Sequence, residues 1–103
     1  MAYSNITSLG QAVEAYHNDT LEKLYLFPLE FGGSNGPENI LYVPKEVVVL
    51  KARYDAMVME LLKKGLVSSY FVQPEYKGDS FVPNSLTIES TGESEFKETI
   101  HIW

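Results

Sequence analysis

Between Pro44 and Gly65 the chain reads PKEVVVLKARYDAMVMELLKKG, the longest periodic run in the sequence. Val47, Leu50, Tyr54, Met57, Val58 and Leu61 recur at spacings of three and four, which places them on one face of an α-helix. Pro44 suits the first turn, where a missing N–H costs nothing. Glu46 lies near the positive end of the helix dipole, and Lys63 and Lys64 near the negative end. Gly65 can adopt the left-handed conformation that closes a helix. The pattern predicts that Leu50, Tyr54, Met57 and Leu61 face a sheet. On the other side Val48, Val49, Ala52, Ala56 and Met59 form a second apolar stripe, flanked by Lys51 and Asp55 and by Arg53, Glu60 and Lys64. A solvated helix face is ordinarily polar. The stripe is therefore either covered by another part of the chain or a contact surface, and the N-terminal helix is the internal candidate.

The remaining patterns are shorter. Ser8 and Gln11 form a capping box, and Leu9, Ala12, Val13 and Tyr16 follow at helical spacing, so a short helix is expected from about Ser8 to Tyr16. Thr20–Lys23 fits either a further turn or an extended segment. Leu24–Phe31 is nearly continuous in apolar residues and reads as a buried strand, with Pro28 marking a bulge, an edge or a break. Gly32–Asn39 is a loop by composition. Ile40–Val43 and Leu66–Gln73 read as strands, and Pro74–Asn84 as a long connection. Ser85–Glu89 and Phe96–Ile102 alternate around a turn at Ser90–Glu93, as in a hairpin. The order helix, two strands, helix, three strands predicts one α+β domain over residues 1–103. Its mainly antiparallel sheet would hold about 4–5 strands, with the long helix on one face and a short N-terminal helix beside it.

A chain of 103 residues can bury a core without covalent staples, and this one has no cysteine, which excludes disulfides and a thiol nucleophile. Its net charge of −6 comes from 14 acidic and 8 basic residues. Phosphate neutralisation requires clustered Lys and Arg, so nucleic acid is not an expected partner. Acidity fits solubility or a basic protein partner. No run approaches the length of a membrane span, and MAYSNITSLGQ lacks the basic and apolar regions of a secretory signal, so a cytoplasmic protein is expected. Asn5-Ile6-Thr7 matches the glycosylation tripeptide only in form.

Candidate chemistry is sparse. Neither His17 nor His101 has a partner at metal-ligand spacing, no G-x-S-x-G occurs, and Gly32–Gly36 lacks the lysine of a phosphate loop. No catalytic residue, metal or cofactor is assigned. The contact candidates are Val48, Ala52, Ala56 and Met59 on the long helix and the aromatic residues Tyr76 and Phe81 in the second long loop. Those two rings either pack back on the core or present a surface.

LFPLEFGG, then ENILYVP with Asn39 and Tyr42-Val43-Pro44, then a lysine-bearing helix, together spanning residues 24–65, resemble small bacterial proteins of polymorphic toxin–immunity loci. The resemblance implies an immunity or accessory role and carries over no functional residue. The expected function is a non-enzymatic module that contacts another protein. The alternatives are a homodimeric structural or accessory protein and an enzyme whose site is assembled from distant residues.

Overall fold

The computed structural model describes residues 3–103. Helix α1 spans Leu9–His17, strand β1 Glu22–Tyr25, strand β2 Ile40–Val43 and helix α2 Lys45–Lys63. Strands β3, β4 and β5 follow at Phe71–Tyr76, Pro83–Ser90 and Phe96–His101. The α+β class is as the pattern predicts, but the strands divide into two antiparallel sheets, β1–β2 and β3–β4–β5. Helix α2 packs against both through β1 and β5. Its Val47 and Val58 share one core with Leu24, Val43, Leu86, Ile88 and Ile100.

Local chemistry sets the ends of the elements. The Ser8 hydroxyl accepts from the Gln11 N–H at 3.2 Å, while the Gln11 carbonyl oxygen reaches back to the Thr7 N–H at 2.8 Å, one residue before the usual capping-box target. Pro44 stands just before α2 rather than inside it, and its carbonyl accepts from Val47 N–H. At the far end Gly65 has φ +70°, and Gly65 N–H and Leu66 N–H return to the Leu62 and Leu61 carbonyls. Those two bonds make a Schellman closure, which satisfies carbonyls the helix would otherwise leave bare.

Two strand expectations fail for identifiable reasons. The apolar run Leu24–Phe31 does not continue as a strand: β1 ends at Tyr25, and Pro28 precedes a 3-10 turn over Leu29–Phe31. Proline cannot donate to a ladder, and its fixed φ suits a turn entry. Gly33 then passes so close beneath that a Cβ there would sit 2.0 Å from the Phe27 carbonyl oxygen. Leu66–Tyr70 also stays out of the ladder, held instead by the Val67–Gly92 bridge and the Ser68 N–H to Thr91 carbonyl bond. The strand begins at Phe71 and runs through Pro74, which an edge strand tolerates.

The hairpin β4–β5 pairs Leu86 with Ile100 and Ile88 with Glu98. The second long connection shrinks to residues 77–82. It is sewn to the N-terminal segment by Phe81 N–H to Ile6 carbonyl at 2.7 Å and Ser80 hydroxyl to Tyr3 carbonyl at 2.7 Å. Val82 is fully buried there, in a smaller core with Ala15 and Leu21.

The largest correction concerns the orientation of α2. Its buried positions are Val47, Lys51, Asp55 and Val58. Leu50, Tyr54 and Leu61 are half-buried against the core, whereas Met57 is 52% exposed. At 100° per residue the buried face is turned about 60° from the one the apolar periodicity marks. Lys51 and Asp55, expected to flank a solvated stripe, lie inside.

Candidate functional site

The turn of α2 is possible because its two buried charges satisfy each other. Lys51 Nζ donates to Asp55 Oδ2 at 2.7 Å and to the Tyr70 hydroxyl oxygen at 3.0 Å, and the Tyr70 hydroxyl donates to Asp55 Oδ1. The three groups close a ring of hydrogen bonds. A buried ion is tolerable only when paired and hydrogen-bonded, and this arrangement meets both conditions. Lys51 is only 3% exposed. Burial pulls its ammonium below the usual lysine range, opposed by its bond to Asp55 and the negative charges of Asp55 and Glu30. Burial likewise pushes the Tyr70 phenol far above the usual tyrosine range, and the Asp55 bond and the same two carboxylate charges push it further. The phenol is neutral throughout the physiological range and acts as a donor to Asp55.

Tyr70 is positioned by aromatic contacts. Its ring meets Phe27 at 5.5 Å and Phe31 at 5.4 Å, both edge-on, and Phe27 and Phe31 meet each other at 6.0 Å. Asn39 fixes the segment that carries the two phenylalanines. Its amide nitrogen donates to the Phe27 and Ser34 carbonyls at 2.9 and 2.7 Å, and its amide oxygen accepts from Phe27 N–H at 2.8 Å. One buried side chain thereby pins both ends of the glycine-rich loop.

Between α2 and the segment from Lys23 to Phe31 lies a cleft of about 510 Å³. One wall is Val48, Ala52, Ala56 and Met59, the apolar stripe singled out in the sequence. Leu24, Leu29 and Phe31 face it, and Lys51 and Asp55 form a polar floor. The stripe is thus neither covered by the N-terminal helix nor fully open. Helix α1 packs toward β2 instead, and β1 with its following turn shades one side of the stripe. Ala52 and Ala56 remain exposed, Val48 and Met59 half-buried.

The other two contact candidates lie elsewhere. Tyr76 ends β3 and Phe81 sits in the 77–82 connection, 47% and 46% exposed, and neither lines the cleft. It is the flanking Ser80 and Val82 that fold back onto the protein. His17 and His101 are exposed, and among the described residues no three His, Cys, Asp or Glu side chains come together as a metal set. Among those same residues no helix is long and apolar enough to cross a membrane. Periodicity missed Lys51, Asp55 and Tyr70 as a unit. The only sequence signal for them is the i, i+4 spacing of Lys51 and Asp55, which also occurs on solvated helix faces.

No family model, curated protein or solved structure matches the chain.

Proposed function

We propose that the protein is a non-enzymatic binding module whose contact site is the cleft between α2 and residues 23–31. The observation that carries this reading is the wall Val48, Ala52, Ala56 and Met59, an accessible apolar surface facing Leu24, Leu29 and Phe31 across an open groove. Concave apolar surfaces with a few fixed polar groups are where ligands and partners dock. The buried ring of Lys51, Asp55 and Tyr70 contributes rigidity. Its donors and acceptors are engaged with one another and are poorly placed for acid–base chemistry on a substrate. An immunity or accessory role fits the same picture, since the stretch that resembles toxin–immunity proteins, residues 24–65, supplies both walls of the cleft.

The test is a photo-crosslinking residue in place of Ala56, introduced in the cell that naturally makes the protein. A discrete adduct is expected, and it should vanish when Ala52→Glu is added while the melting temperature stays unchanged. An adduct of twice the chain mass would identify a second copy as the occupant. No adduct, or one indifferent to Ala52→Glu, would refute the reading.

A further inference from the structure

The cleft also constrains what enters it, and this inference rests on the reading just given. Its length is the first constraint. A second depression of about 300 Å³, lined by Phe27, Phe31, Met59, Leu62 and Tyr70 among others, meets the first across Phe31 and Met59. From Val48 to Leu62 the helix rises about 20 Å at 1.5 Å per residue. That span suits several turns of a helix. The exposed Ala52 and Ala56 at its centre leave room for another backbone to approach closely.

Charge is the second constraint. Lys51 is the single ammonium on the cleft floor, and both Asp55 and Glu30 act on it electrostatically. Two carboxylates around one ammonium leave one negative charge in excess. Glu30 is exposed on the cleft lining and makes no ion pair among the described residues. Lys23, on the opposite wall, places its ammonium 5.0 Å over the Tyr16 ring.

Strand addition is the other common way to capture a peptide, and both edges of the larger sheet resist it. β3 carries Pro74, and β5 carries the charged Glu98 on its core-facing side, paired opposite Ile88. Prolines and inward charges are standard blocks to edge pairing.

We infer that the cleft receives an amphipathic helix of a protein partner, its apolar face on α2 and a lysine or arginine opposite Glu30.

The experiment uses the full chain and two fluorescein-labelled peptides of about 18 residues, each with leucines at i, i+3, i+4 and i+7 spacing. One carries lysine and the other glutamate at the remaining positions. Fluorescence anisotropy should show saturable one-to-one binding of the leucine–lysine peptide and none of the leucine–glutamate peptide. Glu30→Gln should weaken binding about fivefold, as for loss of a partly exposed ion pair. Glu98→Gln removes the same charge away from the cleft and should bind as the unmodified protein does. Ala52→Trp, which fills the cleft without adding charge, should abolish binding with the melting temperature retained.

If Ala52→Trp blocks binding but Glu30→Gln does not weaken it, or Glu98→Gln weakens it equally, the cationic partner is wrong and the cleft reading survives. If the lysine peptide fails to bind, this inference is overturned. If it binds and Ala52→Trp has no effect, both readings are overturned. Light scattering that shows a dimer dissociated by Ala52→Trp would assign the cleft to a second copy and overturn the inference as well.

Discussion

Replacing Asp55 with leucine would strike the device that lets α2 turn its charges inward. The side chain of Lys51 would stay in place, 3% exposed, with its 2.7 Å acceptor gone. The Tyr70 hydroxyl would lose the carboxylate to which it donates. Breaking a buried pair by removing one partner costs about 3–5 kcal/mol, because an uncompensated charge remains. A domain of this size has a total stability of about 5–15 kcal/mol. Asp55→Leu should therefore lower the urea midpoint by about 2 M, measured by circular dichroism at neutral pH. The informative comparison is the triple variant Lys51→Met/Asp55→Leu/Tyr70→Phe, which removes every polar member of the ring. Well-packed apolar replacements for buried ion pairs are often neutral or stabilising by about 1–4 kcal/mol. The triple variant should thus recover most or all of the loss. Should Asp55→Leu stay within about 0.5 kcal/mol of the unmodified protein, the size of an ordinary surface effect, Lys51 reaches water and the ring does not orient the helix. A triple variant as unstable as the single one would show instead that the polar contacts themselves supply net stability.

Other expectations follow from the same geometry. Met57→Ala should change stability by no more than about 0.5 kcal/mol, whereas Val58→Ala, at a fully buried position, should cost more than about 1 kcal/mol; equal costs in denaturant melts would contradict the observed rotation of α2. Asn39→Ala should cost about 2–4 kcal/mol by leaving the Phe27 N–H and two carbonyls without their partner. Asn39→Asp should not restore stability, because a carboxylate cannot donate to those carbonyls, and hydrogen exchange at Phe27 would report the loosened loop. The raised pKa of Tyr70 means the folded state keeps a proton that the unfolded chain releases. Its stabilisation is fully present below the unfolded tyrosine value near 10 and fades as pH climbs from there toward the folded value. Lys51, whose pKa is lowered, contributes the opposite slope just below the unfolded lysine value. Stability measured from pH 9 to 11 should fall less steeply in Tyr70→Phe than in the unmodified protein, and an unchanged slope would contradict the burial of the phenol.

Local chemistry was enough to place several elements from the sequence alone. The cap at Ser8 and Gln11 sets where α1 begins, and Gly65 ends α2 because only a residue at ease with positive φ completes that closure. The alternation in β4 and β5 gave their pairing, since period-two patterns commit one face to the core. The stripe Val48, Ala52, Ala56 and Met59 was visible too, as apolar positions where a solvated helix would be polar. What lies beside that stripe was not visible. Apolar periodicity treats every charge as outward-facing, so it could not show that Lys51 and Asp55 go inward once Tyr70, fifteen residues beyond Asp55, completes their hydrogen bonds. Nor could an unbroken apolar run reveal that Pro28 turns the chain back, or that Asn39 reaches across twelve residues to hold Phe27 in place. Capping and alternation act within a few residues of chain. The rotation of α2 and the opposite wall of its cleft depend on partners distant in sequence, and these meet only when the two sheets close around the helix.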